Sequence, residues 1–351
     1  MTKRIFHITF LFILTLVVSI QLKAQGLDTL KGASPFTAGH YLPGIWDIRD
    51  YSTPAPGFYF IDYNVFLSGE KFFNEDGNQV TGITGPFGRT SLDLDVSGYI
   101  NIPTFLYASP FKFLGATYMA GVTPAYSTVN SDIAYQRIAQ ILRDTINQSG
   151  TITGKASGFA DMTFMPFALS WASDILNLTA AYSLVAPTGR YTPGGSDNVG
   201  LGYWTNMFQA FGYIYPMKIK GKPSQAMAIM IAATMEINSK IKDIDVTTGN
   251  RFTVEYGISQ YLTDRLEIGF MGGNNFQITD DKGSDVWWNP SIHDKMGYVS
   301  FQIGGWPIVN KLYTAVKYNV DYGLTQRIKQ HLLELNLIYA TGWLTGKPKN
   351  K

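Results

Sequence analysis

The sequence predicts an all-β fold, a transmembrane antiparallel up-and-down β-barrel of 12 strands with an N-terminal luminal segment. Apolar and polar residues alternate along a dozen stretches, and this period of two is typical of strands that have two unlike faces. Long and short connections alternate between the stretches, as they do in outer-membrane barrels, whose short turns face the periplasm. Charged residues make up 15% of the chain and aromatic residues 14%, a balance that suits a protein whose outer surface is not mostly in water.

Residues 1–24 have the features of a secretory signal peptide. Lys3 and Arg4 precede an apolar run over residues 5–20, and Ala24 is a small residue near which we expect cleavage. The run is shorter than the ~20 residues of a spanning helix, which argues against the alternative of an N-terminal membrane anchor. The chain contains no Cys, in keeping with an exported protein that uses no disulfide bonds. We therefore expect Sec-dependent export to the bacterial outer membrane.

Residues 25–56 show little alternation, but Gly, Pro and other turn-forming residues recur. A barrel of 12 strands lies between barrels of about 8 strands, which side chains fill, and those of roughly 16–18 strands, which are open. Because the lumen is narrow, we predict that this segment folds inside it as a plug; a flexible periplasmic tail is the alternative. The plug residues expected to pair with the wall or to line the path are Lys31, His40, Tyr41, Trp46 and Arg49.

The barrel is predicted over residues 57–343, followed by a periplasmic tail at 344–351. Its clearest hairpin has two alternating halves, 252–259 and 266–271, that are separated by a few residues around Asp264. So short a connection excludes a crossover and predicts antiparallel neighbours. The 12 strands are expected over residues 58–68, 91–102, 116–128, 159–171, 177–184, 204–215, 229–238, 252–259, 266–271, 298–303, 316–321 and 333–340.

Long connections interleave with short turns, one of which is expected at Ser109 and Pro110. A soluble β-sandwich has no reason to sort its connections in this way, so the pattern favours a membrane barrel over a secreted soluble protein. Within one long connection, the helical spacing of Ile133, Ile138 and Ile141 predicts a short helix. The long connections cover residues 74–90, 129–157, 187–203, 240–250, 277–296 and 323–327.

Charged side chains fall on the face of each strand opposite to its apolar residues. Since a charge that faces lipid at mid-depth costs ~2–4 kcal/mol, this face is assigned to the lumen. We expect the carboxylates to hydrate the wall and pair with cations inside it, or alternatively to hold the plug or favour the passage of cations. The predicted lumen-lining residues are Asp62, Asp93, Asp95, Asp161, Glu236, Glu255, Glu267, Lys317, Asp321 and Glu334, with Arg251 and Lys311 as further inward cations.

We predict no catalytic residues, no metal site and no cofactor. The stretch 150–157 has the wrong spacing for a phosphate-binding loop, and the histidines are widely separated. Asp280, Asp281 and Asp285 have oxygen ligands suited to calcium, although a solvated acidic loop is the favoured interpretation. Without residues 1–24 the charges of the chain nearly balance, which argues against a nucleic-acid partner.

Several short phrases of this sequence resemble a known family. They are HYLPG at 40–44, PAPGFY at 54–59, GFADMTFMPFALSW at 158–171, PTGRY at 187–191 with NVGLGYW at 198–204, and QITDD at 277–281. These phrases resemble the outer-membrane transporters of the meta-pathway phenol-degradation family, and they span most of the mature chain. The resemblance implies a barrel, surrounded by outer-membrane lipid, that moves small hydrophobic or aromatic molecules.

We expect the protein to be a monomeric barrel that acts as a passive channel, which needs no cofactor. Two alternatives from other classes stay open on the sequence. One is a barrel enzyme that acts on lipid, which would bring a Ser and a His within hydrogen-bond reach near one membrane interface. The other is a structural or surface-interaction barrel without a pore.

Overall fold

The computed structural model describes residues 32, 34–85, 88–141, 144–217 and 227–341. The predicted signal peptide 1–24, the predicted plug residue Lys31 and the predicted tail lie outside these described residues. The strands are β1 (Gly57–Phe73), β2 (Gly82–Gly85), β3 (Gly88–Phe113), β4 (Ala116–Thr123), β5 (Tyr126–Ile141), β6 (Asp144–Phe159), β7 (Met162–Ala172), β8 (Leu176–Ala186), β9 (Thr205–Ile214), β10 (Ala228–Asn238), β11 (Arg251–Tyr261), β12 (Leu266–Gln277), β13 (Lys295–Ile308), β14 (Leu312–Thr325) and β15 (Arg327–Ala340). Nowhere in the described residues is there a helix with the length and apolar character needed to cross a membrane.

The strands form one antiparallel sheet that closes on itself. β1 pairs with β15 along one edge and with β3 along the other, and each remaining ring strand pairs with its neighbour in the order β3, β4, β7, β8 and onward to β15. Twelve strands therefore make up the ring, and β2, β5 and β6 are additions to it. The prediction of a closed 12-stranded antiparallel barrel is confirmed.

The two faces of the ring strands are chemically unlike. In β10, Ile229 and Ile231 are exposed on the outer face, whereas Thr234 and Glu236 are buried on the inner face. An outer face of this kind is compatible with lipid, and a closed ring leaves none of its backbone groups on a free edge. The alternation that predicts the strands therefore also sorts their side chains between membrane and lumen.

The connections differ in length at the two ends of the ring. At one end β7 and β8 are joined by residues 173–175, β11 and β12 by 262–265, and β13 and β14 by 309–311. We call this the short-turn end, and the opposite end, which carries the connections 187–204, 239–250 and 278–294, the long-loop end. In outer-membrane barrels these ends face the periplasm and the exterior, respectively.

One short turn lies further along the chain than expected. β3 continues through Ser109 and Pro110, where a register shift against β4 marks an irregularity of the ladder, and the chain reverses at Leu114 and Gly115. Both residues of this turn have positive φ angles, 52° and 78°, a conformation that Gly adopts readily. A Ser-Pro pair thus marks a bulge within a strand here rather than its end.

The predicted loop helix within residues 129–157 is wrong, because this stretch forms the β5–β6 hairpin. β5 pairs with the first half of β3, so that Ile133 lies between Leu94 and Ile152. β3 extends beyond the ring at the long-loop end and offers unpaired backbone groups, which β5 satisfies. The spacing of the isoleucines fits a helix, but this ladder determines the conformation.

We predict that Ala233→Arg destabilises the barrel by about 2–4 kcal/mol, because Ala233 lies at the middle of β10 on the outer face and an arginine there would meet lipid at mid-depth. Urea unfolding in phospholipid vesicles measures the effect. Thr192→Arg, in an exposed connection at the long-loop end, is the matched control and should leave stability unchanged. Equal unfolding midpoints for the two variants would contradict the assignment of faces.

Candidate functional site

Residues 34–56 run through the interior of the ring, and we call them the luminal segment. At the long-loop end, the backbone N–H of Asn289 donates to the carbonyl of Gly32 (2.9 Å), and the ring of Phe36 lies 5.7 Å from that of Trp288. Further along, Tyr41, Ile45 and Ile48 are buried. The segment then continues directly into β1 at the short-turn end, so it traverses the whole lumen.

Carboxylates of the wall accept hydrogen bonds from the first part of the luminal segment. Glu236 of β10 accepts from the backbone N–H groups of His40 (2.8 Å) and Tyr41 (2.9 Å). His40 Nε2 lies 2.9 Å from Asp161 Oδ2, and Asp161 also accepts from backbone N–H groups of the connection that follows β8. These contacts satisfy buried charges that would otherwise be costly in the interior.

Glu255 of β11 receives three donors at the middle of the lumen. The Tyr41 hydroxyl donates to its Oε2, while the Gly44 N–H (2.8 Å) and the Tyr298 hydroxyl (2.7 Å) donate to Oε1. Gly44 has a φ of 84°, and an added Cβ there would meet the ring of Tyr298. A glycine is therefore required for the segment to turn this close to the wall.

Lys317 of β14 holds the next part of the segment. Its ammonium group donates to the carbonyls of Ile45 (2.8 Å) and Trp46 (2.7 Å) and pairs with Glu334 of β15 at 3.0 Å. Lys317 and Glu334 are both fully buried. Lys317 and Glu334 therefore neutralise each other, and Lys317 also binds the backbone of the luminal segment.

Arg49 supplies a positive charge from the luminal segment itself. Its Nε lies 2.5 Å from Glu267 Oε1 of β12, and its guanidinium lies over the ring of Tyr261 at 5.0 Å from the centroid. Nearby, Asp47 accepts a hydrogen bond from Asn336 of β15 (2.8 Å). Together with Lys317, these contacts fix the segment to the wall formed by β10–β15.

The structure places seven of the predicted lumen-lining residues on the inner face, all of them buried. Five of them contact the luminal segment directly, Glu334 acts through Lys317, and Asp321 instead accepts from the backbone N–H of Gln330 (3.0 Å). The seven residues are Asp161, Glu236, Glu255, Glu267, Lys317, Asp321 and Glu334. Of the two further cations, Arg251 is buried and pairs with Asp294, whereas Lys311 lies exposed in a short turn, contrary to expectation.

The assignment of Asp62, Asp93 and Asp95 to the lumen is wrong. Asp62 points to the outer face, where it accepts hydrogen bonds from Asn64 (3.0 Å) and Asn101 (2.7 Å). Asp93 and Asp95 are exposed on the outer face of β3, beside β5.

The faces of β1 and β3 are reversed because the apolar residues of these strands have an apolar partner inside the ring. Ile61, Tyr63 and Ile102 are buried and pack with Ile45 and Trp46 of the luminal segment. The polar residues between them must then face outward, since successive side chains of a strand alternate. The rule that charged side chains face the lumen therefore fails at β1 and β3, where the lumen is apolar.

This apolar side of the lumen contains a cavity that the sequence analysis did not predict. Its volume is about 370 Å³, within the usual range of small-molecule pockets. It lies between the luminal segment and the wall formed by β1, β3, β4 and β7–β9. The main apolar lining residues are Ile100, Leu106, Met119, Met165, Val185 and Met207, and polar groups of His40, Asp161 and Gln209 also contribute. The sequence signal for this cavity was the apolar character of alternate residues in these strands, which face inward.

The connections at the long-loop end cover the lumen. Tyr203, Ile241, Val246 and Trp288 form a buried cluster there, and Asp281 accepts from the Trp288 indole (2.8 Å) and from the Ser34 hydroxyl (2.5 Å). These bonds attach the start of the luminal segment to the cover.

The three acidic residues considered for calcium have separate partners. Asp281 is used in the cover, Asp280 lies 2.8 Å from His293, and Asp285 accepts from the backbone N–H of Asp245 (2.7 Å). Asp245 itself accepts a hydrogen bond from the Lys240 ammonium group, which holds the pKa of that carboxyl well below its usual range. In the part of the chain that the structure describes, no three His, Cys, Asp or Glu side chains group as metal ligands would.

Apolar strands that close into one ring around a luminal segment define an outer-membrane β-barrel. The family model described as "Putative MetA-pathway of phenol degradation" matches residues 71–325. This match covers most of the chain, and the protein belongs to that family, which confirms the resemblance seen in its sequence. No curated protein matches the sequence.

The fold is similar to that of an outer membrane channel from Pseudomonas putida F1, with a TM-score of 0.61 and 14% identity over 84% of this chain and 99% of that one. A Pseudomonas aeruginosa FadL homologue is more distant, with a TM-score of 0.41 and 11% identity over 81% of this chain and 90% of that one. The CymD monoaromatic hydrocarbon channel has a TM-score of 0.38 and 8% identity over 81% of this chain and 88% of that one. The first likeness concerns the fold alone, and the low TM-scores of the other two give them no weight.

We predict that Lys317→Met destabilises the barrel by about 3–5 kcal/mol, because it leaves Glu334 buried without its cation. Urea unfolding in vesicles measures the loss. The double variant Lys317→Met, Glu334→Gln removes both charges and should be more stable than the single variant. If the double variant loses as much as Lys317→Met alone, the buried carboxylate is not the cause of the loss.

Proposed function

We propose that this protein is a passive outer-membrane channel for small hydrophobic or aromatic molecules. The observation that carries the proposal is the apolar cavity between the luminal segment and the wall. The fold similarity to an outer membrane channel and the family description, which refers to phenol degradation, support it. Diffusion of such molecules through a barrel needs no cofactor, and we propose that the protein works as a monomer in outer-membrane lipid without being an enzyme.

The chemistry of the cavity suits this class of solute. Met119, Met165 and Met207 present flexible, polarizable side chains, which adapt to apolar ligands of different shape and make favourable contacts with aromatic rings. His40 and Gln209 add a few polar atoms, and a small number of polar groups in an apolar pocket orients a ligand. An anionic solute would lose its hydration here without a matching gain, because the charged groups of the lining include the carboxylates of Asp50 and Asp161.

Residues 25–56 act in this proposal as a plug, exported behind a signal peptide that is cleaved near Ala24. His40, Tyr41, Trp46 and Arg49 would form its contacts to the path and the wall, and Lys31 would add a further charge near its start. The wall carboxylates in this account hold the plug rather than conduct cations. The plug narrows the lumen, so that small apolar molecules cross through the cavity while larger polar ones are excluded.

The arrangement of the histidines favours a channel over an enzyme that acts on lipid. In the described part of the chain, His40 contacts Thr205 and Asp161, His293 contacts Asp280, and His331 contacts the Tyr318 hydroxyl. None of these contacts is the serine–histidine pair that the enzyme alternative predicts, and the Thr205 hydroxyl beside His40 belongs to a fully buried residue inside the ring.

We predict that Ala181→Trp, which fills the cavity from β8, lowers the uptake of an apolar solute such as toluene into proteoliposomes several-fold. The volume of an indole is large relative to the cavity, and interiors tolerate little overpacking. Ala180→Trp, at the next position of β8 on the outer face, is the matched control and should leave uptake unchanged. Uptake that is the same for both variants would contradict transport through this cavity.

Deletion of residues 27–50 should raise the single-channel conductance of the barrel in planar bilayers, because it removes the segment that fills the lumen. The retention of heat-modifiable mobility in electrophoresis establishes that the shortened barrel is folded. A folded variant whose conductance equals that of the full chain would contradict the plug.

A further inference from the structure

The outer face of the ring carries a groove of about 640 Å³ that is separate from the luminal cavity. It crosses β12–β15 at the end of the strands nearest the short-turn end. Its residues include Arg265, Leu266, Gly305, Trp306, Thr314 and Leu337, and we call it the outer groove. Leu266, which is 40% exposed, shows that the groove opens toward lipid rather than toward the lumen.

The groove owes its depth to small residues at one level of the sheet. Leu266 pairs with Gly305, Gly305 with Thr314, and Thr314 with Leu337, so that two small residues lie side by side between larger ones. An added Cβ at Gly305 would meet the carbonyl oxygen of Arg265, so the strand can pass this close to the turn only with glycine. The ladder of β13 and β14 shifts register immediately after Gly305, which bends the strand at this point.

A positive charge lies at the mouth of the groove. Arg265 is exposed in the turn between β11 and β12, and its carbonyl accepts a hydrogen bond from the backbone N–H of Trp306 (2.9 Å), which fixes the turn to the end of the groove. Arginine binds phosphate groups through paired hydrogen bonds. In outer-membrane barrels the short turns face the periplasm, so we place the groove at the level of the periplasmic leaflet.

We propose that the outer groove binds one phospholipid of the periplasmic leaflet. One acyl chain lies along Gly305 and Thr314, and the phosphate is bound by Arg265. The proposal depends on the orientation of the barrel in the membrane and not on what the lumen transports.

Native mass spectrometry of the full chain in detergent, with dioleoyl phosphatidylglycerol or dioleoylglycerol added, tests the proposal. The wild-type protein should retain one phosphatidylglycerol and much less of the lipid that lacks phosphate. Arg265→Gln should lower the phosphatidylglycerol occupancy about tenfold, as expected for the loss of a charge-assisted pair. Thr314→Leu, which fills the groove with a side chain compatible with lipid, should lower it similarly.

Lys112→Gln is the matched control, because it removes an exposed cation at the short-turn end in β3, a strand that contributes no residue to the outer groove. It should retain the lipid as the wild type does. Equal retention by wild type, Arg265→Gln and Thr314→Leu, or a graded series of bound lipids that no variant alters, would overturn the proposal. Solute uptake by Arg265→Gln should equal that of the wild type, so that a failure of this proposal is distinguishable from a failure of the channel.

Discussion

Pairing of buried charge is the interaction on which this structure depends. Glu236, Glu255 and Glu267 lie on the inner face of a closed ring, where an isolated carboxylate would be costly. The luminal segment provides their partners, partly as backbone N–H groups and partly as Arg49. Neither part is complete alone, because the ring without the segment would expose unmatched charges and the segment without the ring has no regular structure to satisfy its backbone. The barrel and its contents therefore stabilise each other.

The contacts divide the lumen into two unlike halves. Along β10–β15 the segment meets mostly charged and amide side chains. Along β1–β9, apart from a few bonds such as that of His40 to Asp161, it presents Ile45 and Trp46 to an apolar wall and an adjoining cavity. The first half fixes the position of the segment through directional bonds. The second half leaves a cavity, because contacts between apolar side chains are not directional and do not hold the segment against the wall. The cavity that could bind an apolar molecule therefore exists because the segment is held against the opposite wall, β10–β15.

Alternation along the strands was sufficient to predict the ring, its closure and the inward position of residues such as Glu236. It failed at Asp62, because parity defines two faces but does not say which is inside when the luminal partner is apolar. It also failed at Ile133, whose spacing from Ile138 and Ile141 fits a helix, because the exposed edge of β3 determined the conformation. The apolar residues on the inward parity indicated an apolar lumen, but the cavity itself depends on which inner faces meet across the lumen, and alternation does not give that arrangement.

The path of the luminal segment has a consequence for biogenesis. The segment continues without interruption into β1, and β1 pairs with β15, the last strand made, to complete the cylinder. Inserting a segment that spans the whole lumen is difficult once β1 and β15 have paired and closed the ring. We therefore expect the segment to enter the lumen before the first and final strands join.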